Sequence, residues 1–74
     1  MTKLQVWRYQ VAFNATYSGG DTHVTGRKIT FLKMYSSIEP PKALVRQAAD
    51  TLLNSQEQRY CLKVNRSSVQ IQGN

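Results

Sequence analysis

Cysteine is all but missing from this sequence: Cys61 stands alone, so no disulfide can form within the chain. Histidine is as scarce, with His23 the single example. A closed zinc site takes four ligands, and these are the only two soft ones, so neither a structural metal nor a cofactor is expected. Acidic residues are few: Asp21, Glu39, Asp50 and Glu57 are scattered, and no two are spaced for paired acid–base work. Gly19-Gly20 is not followed by a helical pattern, which excludes a phosphate-cradling loop. His23 and Cys61 lie too far apart in the pattern for a Cys-His nucleophile. The chain is therefore expected to be non-enzymatic.

Long apolar runs are absent as well. None approaches the ~20 residues that cross a membrane as a helix. Lys3 is followed by no apolar stretch of signal-peptide length, so no export is expected. A lone thiol suits a reducing compartment, and the expected location is the cytoplasm. Asn14-Ala15-Thr16 and Asn65-Arg66-Ser67 match the glycosylation triplet, but such triplets matter only in a secreted chain.

What is present is small and basic. With 74 residues, the chain is expected to form one domain, spanning 1–74. A chain this short buries only about 60% of its unfolded surface. Without disulfide or metal, it must rely on good packing or self-association, and a homo-oligomer is as well supported as a monomer. Apolar residues make up 41% of the chain, enough to fold. Ten Lys and Arg against four Asp and Glu give a net charge of +6. Such an excess points to an anionic partner, or merely to solubility.

Trp7 to Tyr35 reads as one long β-hairpin. In the first arm Trp7, Tyr9, Val11, Phe13, Ala15 and Tyr17 alternate with Arg8, Gln10, Ala12, Asn14 and Thr16, the period of a strand with one apolar face. Gly19-Gly20 suits a two-residue turn, since glycine tolerates positive φ. Run on without interruption, that turn sets Val11 against Lys28, which puts a lysine on the apolar face. One extra residue in the second arm sets Val11 against Ile29 and Tyr9 against Phe31. A bulge within a residue or two of Gly26 is the expected device; a longer loop over Ser18 to Asp21 gives the same shift.

Pro40-Pro41 ends the hairpin and starts a helix, with Pro41 at the first helical position. The helix is expected to run to about Asn54. Leu44, Val45, Ala48, Ala49, Leu52 and Leu53 form its apolar half, and Arg46, Gln47, Asp50, Thr51 and Asn54 its polar half. After a polar link, Arg59 to Val64 alternates again. A turn at Asn65-Arg66 would set Leu62 against Val69 and Tyr60 against Ile71 in a second, shorter hairpin. The expected fold class is α+β, in the order ββαββ: a small antiparallel sheet with one amphipathic helix packed on one face.

In this arrangement Arg8, Lys28, Arg59 and Lys63 take the parity opposite the helix, joined by Gln10, Asn14 and Thr30. With Arg27 they form an open basic sheet face. The candidate nucleic-acid-binding residues are thus Arg8, Arg27, Lys28, Arg59 and Lys63. Trp7, Tyr9, Phe13 and Phe31 fall on the covered face and read as core, leaving Tyr17 and Tyr35 as weak candidates for base stacking. The first functional reading is a small basic accessory protein, of the phage or mobile-element type, that binds DNA or RNA. The alternative is a protein-interaction or inhibitor module acting through a sheet edge or a homodimer interface. No membrane partner is expected.

Overall fold

The computed structural model describes residues 3–19 and 22–73, the side chains of residues 18, 19, 22 and 23 excepted. The elements are β1 (Gln5–Gly19), β2 (Thr22–Ser36), α1 (Lys42–Tyr60) and β3 (Leu62–Gly73). The architecture is α+β. Three antiparallel strands form an open sheet in the order β2-β1-β3, and the helix packs on one face. The two short strands expected after the helix lie end to end in β3. Both pair with β1, and they do not fold back on each other.

The parity of β1 is as its alternation implies. Val11, Phe13 and Ala15 are buried, and Trp7 and Tyr9 are half-buried. Val11, Phe13 and Ala15 cluster with Ala49 and Leu53 from α1 and Val64 from β3, and Val45 of α1 is buried as well. Leu32, Leu62, Val69 and Ile71 close the core's margin. The helix therefore sits over β1 and β3, and β2 gives the core only the flank of Leu32. Leu44 is exposed, and Ala48 and Leu52 are half-buried, so the buried stripe is narrower than the apolar half of the helical wheel.

The hairpin register differs from expectation. Tyr17 pairs with Val24, Ala15 with Gly26, Phe13 with Lys28, Val11 with Thr30, Tyr9 with Leu32 and Trp7 with Met34. The ladder is unbroken, with no bulge at Gly26. Gly19 is a strand residue paired with Thr22, and the expected turn at Gly19-Gly20 otherwise lies outside the described residues. The reasoning that a lysine could not share a face with Val11 and Phe13 fails for a physical reason. Because β2 is the edge strand and the helix is seated away from it, Lys28 stays exposed beside the core. The gain from this register is that Leu32 and Met34 turn towards the covered side.

Helix α1 starts one residue later than expected and ends six residues further on. Pro41 is its N-cap, in extended conformation, and its carbonyl accepts from the Leu44 and Val45 amides at 3.0 and 3.1 Å. Gln56, Glu57, Gln58 and Arg59 are good helix formers, and no Gly or Pro stops the chain before Tyr60. Arg59 is therefore helical and not in a strand. Cys61 ends the helix in the left-handed region, φ 54°, where its amide donates to the Glu57 carbonyl.

Strand β3 carries an irregularity in place of the expected turn. Asn14 pairs with Asn65 and Ala12 with Gln70, so residues 66–69 stand opposite Phe13 alone. Local polar groups satisfy the extra backbone. The Asn14 amide donates to Ser68 Oγ at 2.8 Å, and Ser68 Oγ donates to the Asn65 carbonyl at 2.6 Å. Asn65 Oδ1 accepts from the Ser67 amide and hydroxyl. The helix grips this segment. Arg66 donates to Glu57 Oε1 at 2.7 Å and to Asn54 Oδ1, while Glu57 Oε2 accepts from the Val64 amide at 2.9 Å.

The molecule is long and thin, 56 × 19 × 17 Å, with a radius of gyration of 14.3 Å. A compact domain of this length has about 11 Å. Fifteen-residue strands extend about 50 Å, whereas a nineteen-residue helix covers about 28 Å. The hairpin outruns both the helix and β3, which reaches only as far as Tyr9 along β1.

Candidate nucleic-acid interface

Residues directly opposite in antiparallel strands share a face, so the register fixes what the uncovered side of the sheet presents. Rows across that face read Tyr35 and Val6; Lys33 and Arg8; Phe31, Gln10 and Gln72; Ile29, Ala12 and Gln70; Arg27, Asn14 and Asn65; Thr25, Thr16 and Lys63. From Val6 to Thr16 the strip is about 34 Å long. None of the three strands contains an Asp or Glu. The nearest described carboxylates belong to α1 and to Glu39, on the segment leading into the helix. The face is thus uniformly cationic.

Of the five residues proposed from sequence, the structure brings Arg8, Arg27 and Lys63 together on this face. Lys28 is not among them: it pairs with Phe13 and takes the helix side. Arg59 is not either, being in the last turn of α1. Thr30, paired with Val11, also moves to the covered side. In their place Lys33 joins, directly opposite Arg8. Arg27 reaches across β1 to donate to Gln70 Oε1 at 2.8 Å, which ties its side chain to β3. Thr16 and Thr25 share a hydroxyl hydrogen bond at 3.0 Å.

The aromatic residues change the character of the face. Phe31, expected in the core, is 66% exposed, and Tyr35 is 67% exposed. Both stand on the uncovered side, on either side of Lys33 along β2. Ile29 and Val6 add further exposed apolar surface. A signal for this was present in the sequence. Leu32 and Met34 are apolar on the parity opposite to Ile29, Phe31 and Tyr35, a sign of two competing faces that only the position of the helix resolves. Tyr17, by contrast, lies on the covered parity and is exposed only because it sits near the end of the sheet.

Other chemistry is sparse. Cys61 is free and exposed at the helix C-cap. The side chain of His23 lies outside the described set. Among the described residues, no three of His, Cys, Asp and Glu are grouped to hold a metal ion, and no helix is long and apolar enough to cross a membrane. Comparison with protein-family models, with curated proteins and with solved structures found no match for this chain.

Proposed function

We propose that this is a small, non-enzymatic accessory protein of the cytoplasm that binds nucleic acid through the open face of its sheet. The observation that carries the reading is the coincidence, on one uncovered face, of Arg8, Arg27, Lys33 and Lys63 with exposed aromatic rings and no carboxylate. Cations on a flat face supply the phosphate attraction that dominates nucleic-acid affinity. Gln10, Gln70, Gln72 and Asn14, interleaved among them, offer hydrogen bonds to sugars and bases.

The test is fluorescence anisotropy of a labelled oligonucleotide titrated with the full chain at low and high salt. The double variant Arg8→Ala/Lys33→Ala is expected to lose most of the binding. Lys28→Ala/Arg59→Ala removes the same charge from elsewhere and is expected to retain it. Equal losses from the two variants would reduce the effect to net charge and remove the face from the argument.

A second reading rests on a different observation. β2 is an edge strand of fifteen residues whose outer side has no neighbour in the sheet order. Such an edge accepts a strand from another chain, which would make this a protein-interaction module. Lys28 and Lys33 on that strand blunt the edge and weigh against it.

A further inference from the structure

Resting on the reading of the open face as a nucleic-acid surface, we propose that its ligand is a single strand, with bases stacked on Phe31 and Tyr35 and backbone phosphates held by Arg8 and Lys33. Keeping two large rings in water is costly. Each is about two-thirds exposed in a chain whose buried core holds a single aromatic, Phe13. Large rings placed in water on a cationic face call for an occupant with flat apolar surfaces and negative charge. Unpaired nucleotides have both.

The order of side chains fits that occupant. Along β2 the face reads Phe31, Lys33, Tyr35, and along β1 beside them Gln10, Arg8, Val6. Alternate residues on a strand repeat at about 6.8 Å, so each ring stands one step from Lys33; across the ladder Phe31 faces Gln10, and Tyr35 faces Val6 with Arg8 diagonal to it. In a duplex the faces of the bases are covered by their neighbours, and only edges and phosphates are accessible. Rings projecting from a sheet gain nothing there, whereas unstacked bases can lie on them. Stacking is tolerant of base identity because every base has a π-face, so the preference is for strandedness and not for sequence.

Tyr35 lies where the sheet is only two strands wide, and Phe31 stands in the adjoining three-stranded row with Gln10 and Gln72. β3 reaches along β1 only to Tyr9, so among the described residues the rows Arg8–Lys33 and Val6–Tyr35 form a two-stranded ribbon with no third strand paired on the β3 side. A strand can enter from that end and run along the face towards Arg27 and Lys63.

The experiment measures the anisotropy of a labelled single-stranded oligonucleotide, the same sequence as a duplex, and a labelled heparin fragment, which carries charge without bases. Wild-type chain is expected to bind the single strand at least tenfold more tightly than the duplex. Phe31→Ala and Tyr35→Ala should each weaken single-strand binding about 5- to 150-fold, leave heparin binding unchanged, and keep the wild-type circular dichroism. Tyr35→Phe should bind as wild type. Equal affinity for duplex and single strand overturns the proposal, as do ring variants without effect. In either case, a loss in Arg8→Ala/Lys33→Ala keeps the nucleic-acid reading standing. No binding to either oligonucleotide overturns both. A wild-type dimer that Phe31→Ala turns into a monomer, read by analytical ultracentrifugation, assigns the face to a second copy and overturns the proposal as well.

Discussion

Leu53→Ala is the sharpest test of how the helix is rotated on the sheet. Leu53 has no exposed surface and packs in one cluster with Val11, Phe13, Ala49 and Val64. The substitution removes three carbons, and at ~0.8 kcal/mol for each buried methylene the transfer loss is about 2.4 kcal/mol. The cavity left beside Phe13 cannot collapse fully between a helix and a sheet, which raises the cost to about 3–4 kcal/mol. Leu52, its neighbour, is only half-buried and opens to solvent, so Leu52→Ala should cost about 1 kcal/mol. A chain of this length has a total stability of about 4–11 kcal/mol, so the first change takes a large share and the second a small one. Urea unfolding followed by far-ultraviolet circular dichroism and by Trp7 fluorescence measures both. Trp7 reports from the far end of the hairpin, where its indole N–H donates to the Ser36 carbonyl at 3.1 Å. The midpoint should fall far more for Leu53→Ala, with the slope unchanged. Equal shifts, or a larger one for Leu52→Ala, would mean that the helix presents a different stripe and that the core is wrongly drawn.

Other substitutions probe the backbone and the charges. Gly26 lies in a regular ladder with open space where a Cβ would go, so Gly26→Ala should raise stability by about 0.4–1 kcal/mol in the same urea assay; a bulge there would make it destabilising. Cys61 holds a left-handed conformation, and Cys61→Gly should relieve up to about 1 kcal/mol. Glu57 joins the Val64 amide to Arg66, so Glu57→Ala should cost about 1–2 kcal/mol. Arg66→Ala should cost less, about 0.5–1 kcal/mol, because its side chain is 41% exposed and its ion pair is screened by solvent; a double-mutant cycle should show coupling. For nucleic-acid binding, four face cations engaging single-strand phosphates give a slope of log K against log salt of about −2.8. Lys63→Ala should reduce that slope by about 0.7, and Lys28→Ala should leave it unchanged.

Much of the fold was legible because some residues had only one consistent placement. The run from Trp7 to Ala15 alternates with only the small Ala12 out of step, and Pro40-Pro41 separates strand from helix. The register was not legible, because β2 is apolar on both parities. Ile29, Phe31 and Tyr35 compete with Leu32 and Met34, and the winner depends on which face the helix covers, a tertiary fact. Lys28 looked unacceptable on the apolar face, opposite Val11, only on the assumption that the helix spans all three strands. The helix end was missed because Ser55 to Gln58 is polar on every side, which suits a solvated last turn as well as a link. Arg66, expected in a hairpin turn, serves instead as the clamp that ties β3 to Glu57. The cationic face was partly readable, since Arg8 and Lys63 follow reliable alternation. Phe31 and Lys33 inherited the error in register.

The segment opposite Phe13 has a consequence for how this chain can tolerate changes in length. Residues 66–69 insert an odd surplus into β3, which is why Val64 and Ile71 point the same way although one is even and the other odd. Losing or gaining a single residue there would rotate everything beyond it by half a turn, sending Val69 and Ile71 into water and Gln70 and Gln72 beneath the helix. Removing two residues would preserve the facing. Variation in length within this stretch should therefore come in pairs, and a one-residue change should be felt at both faces of the sheet at once.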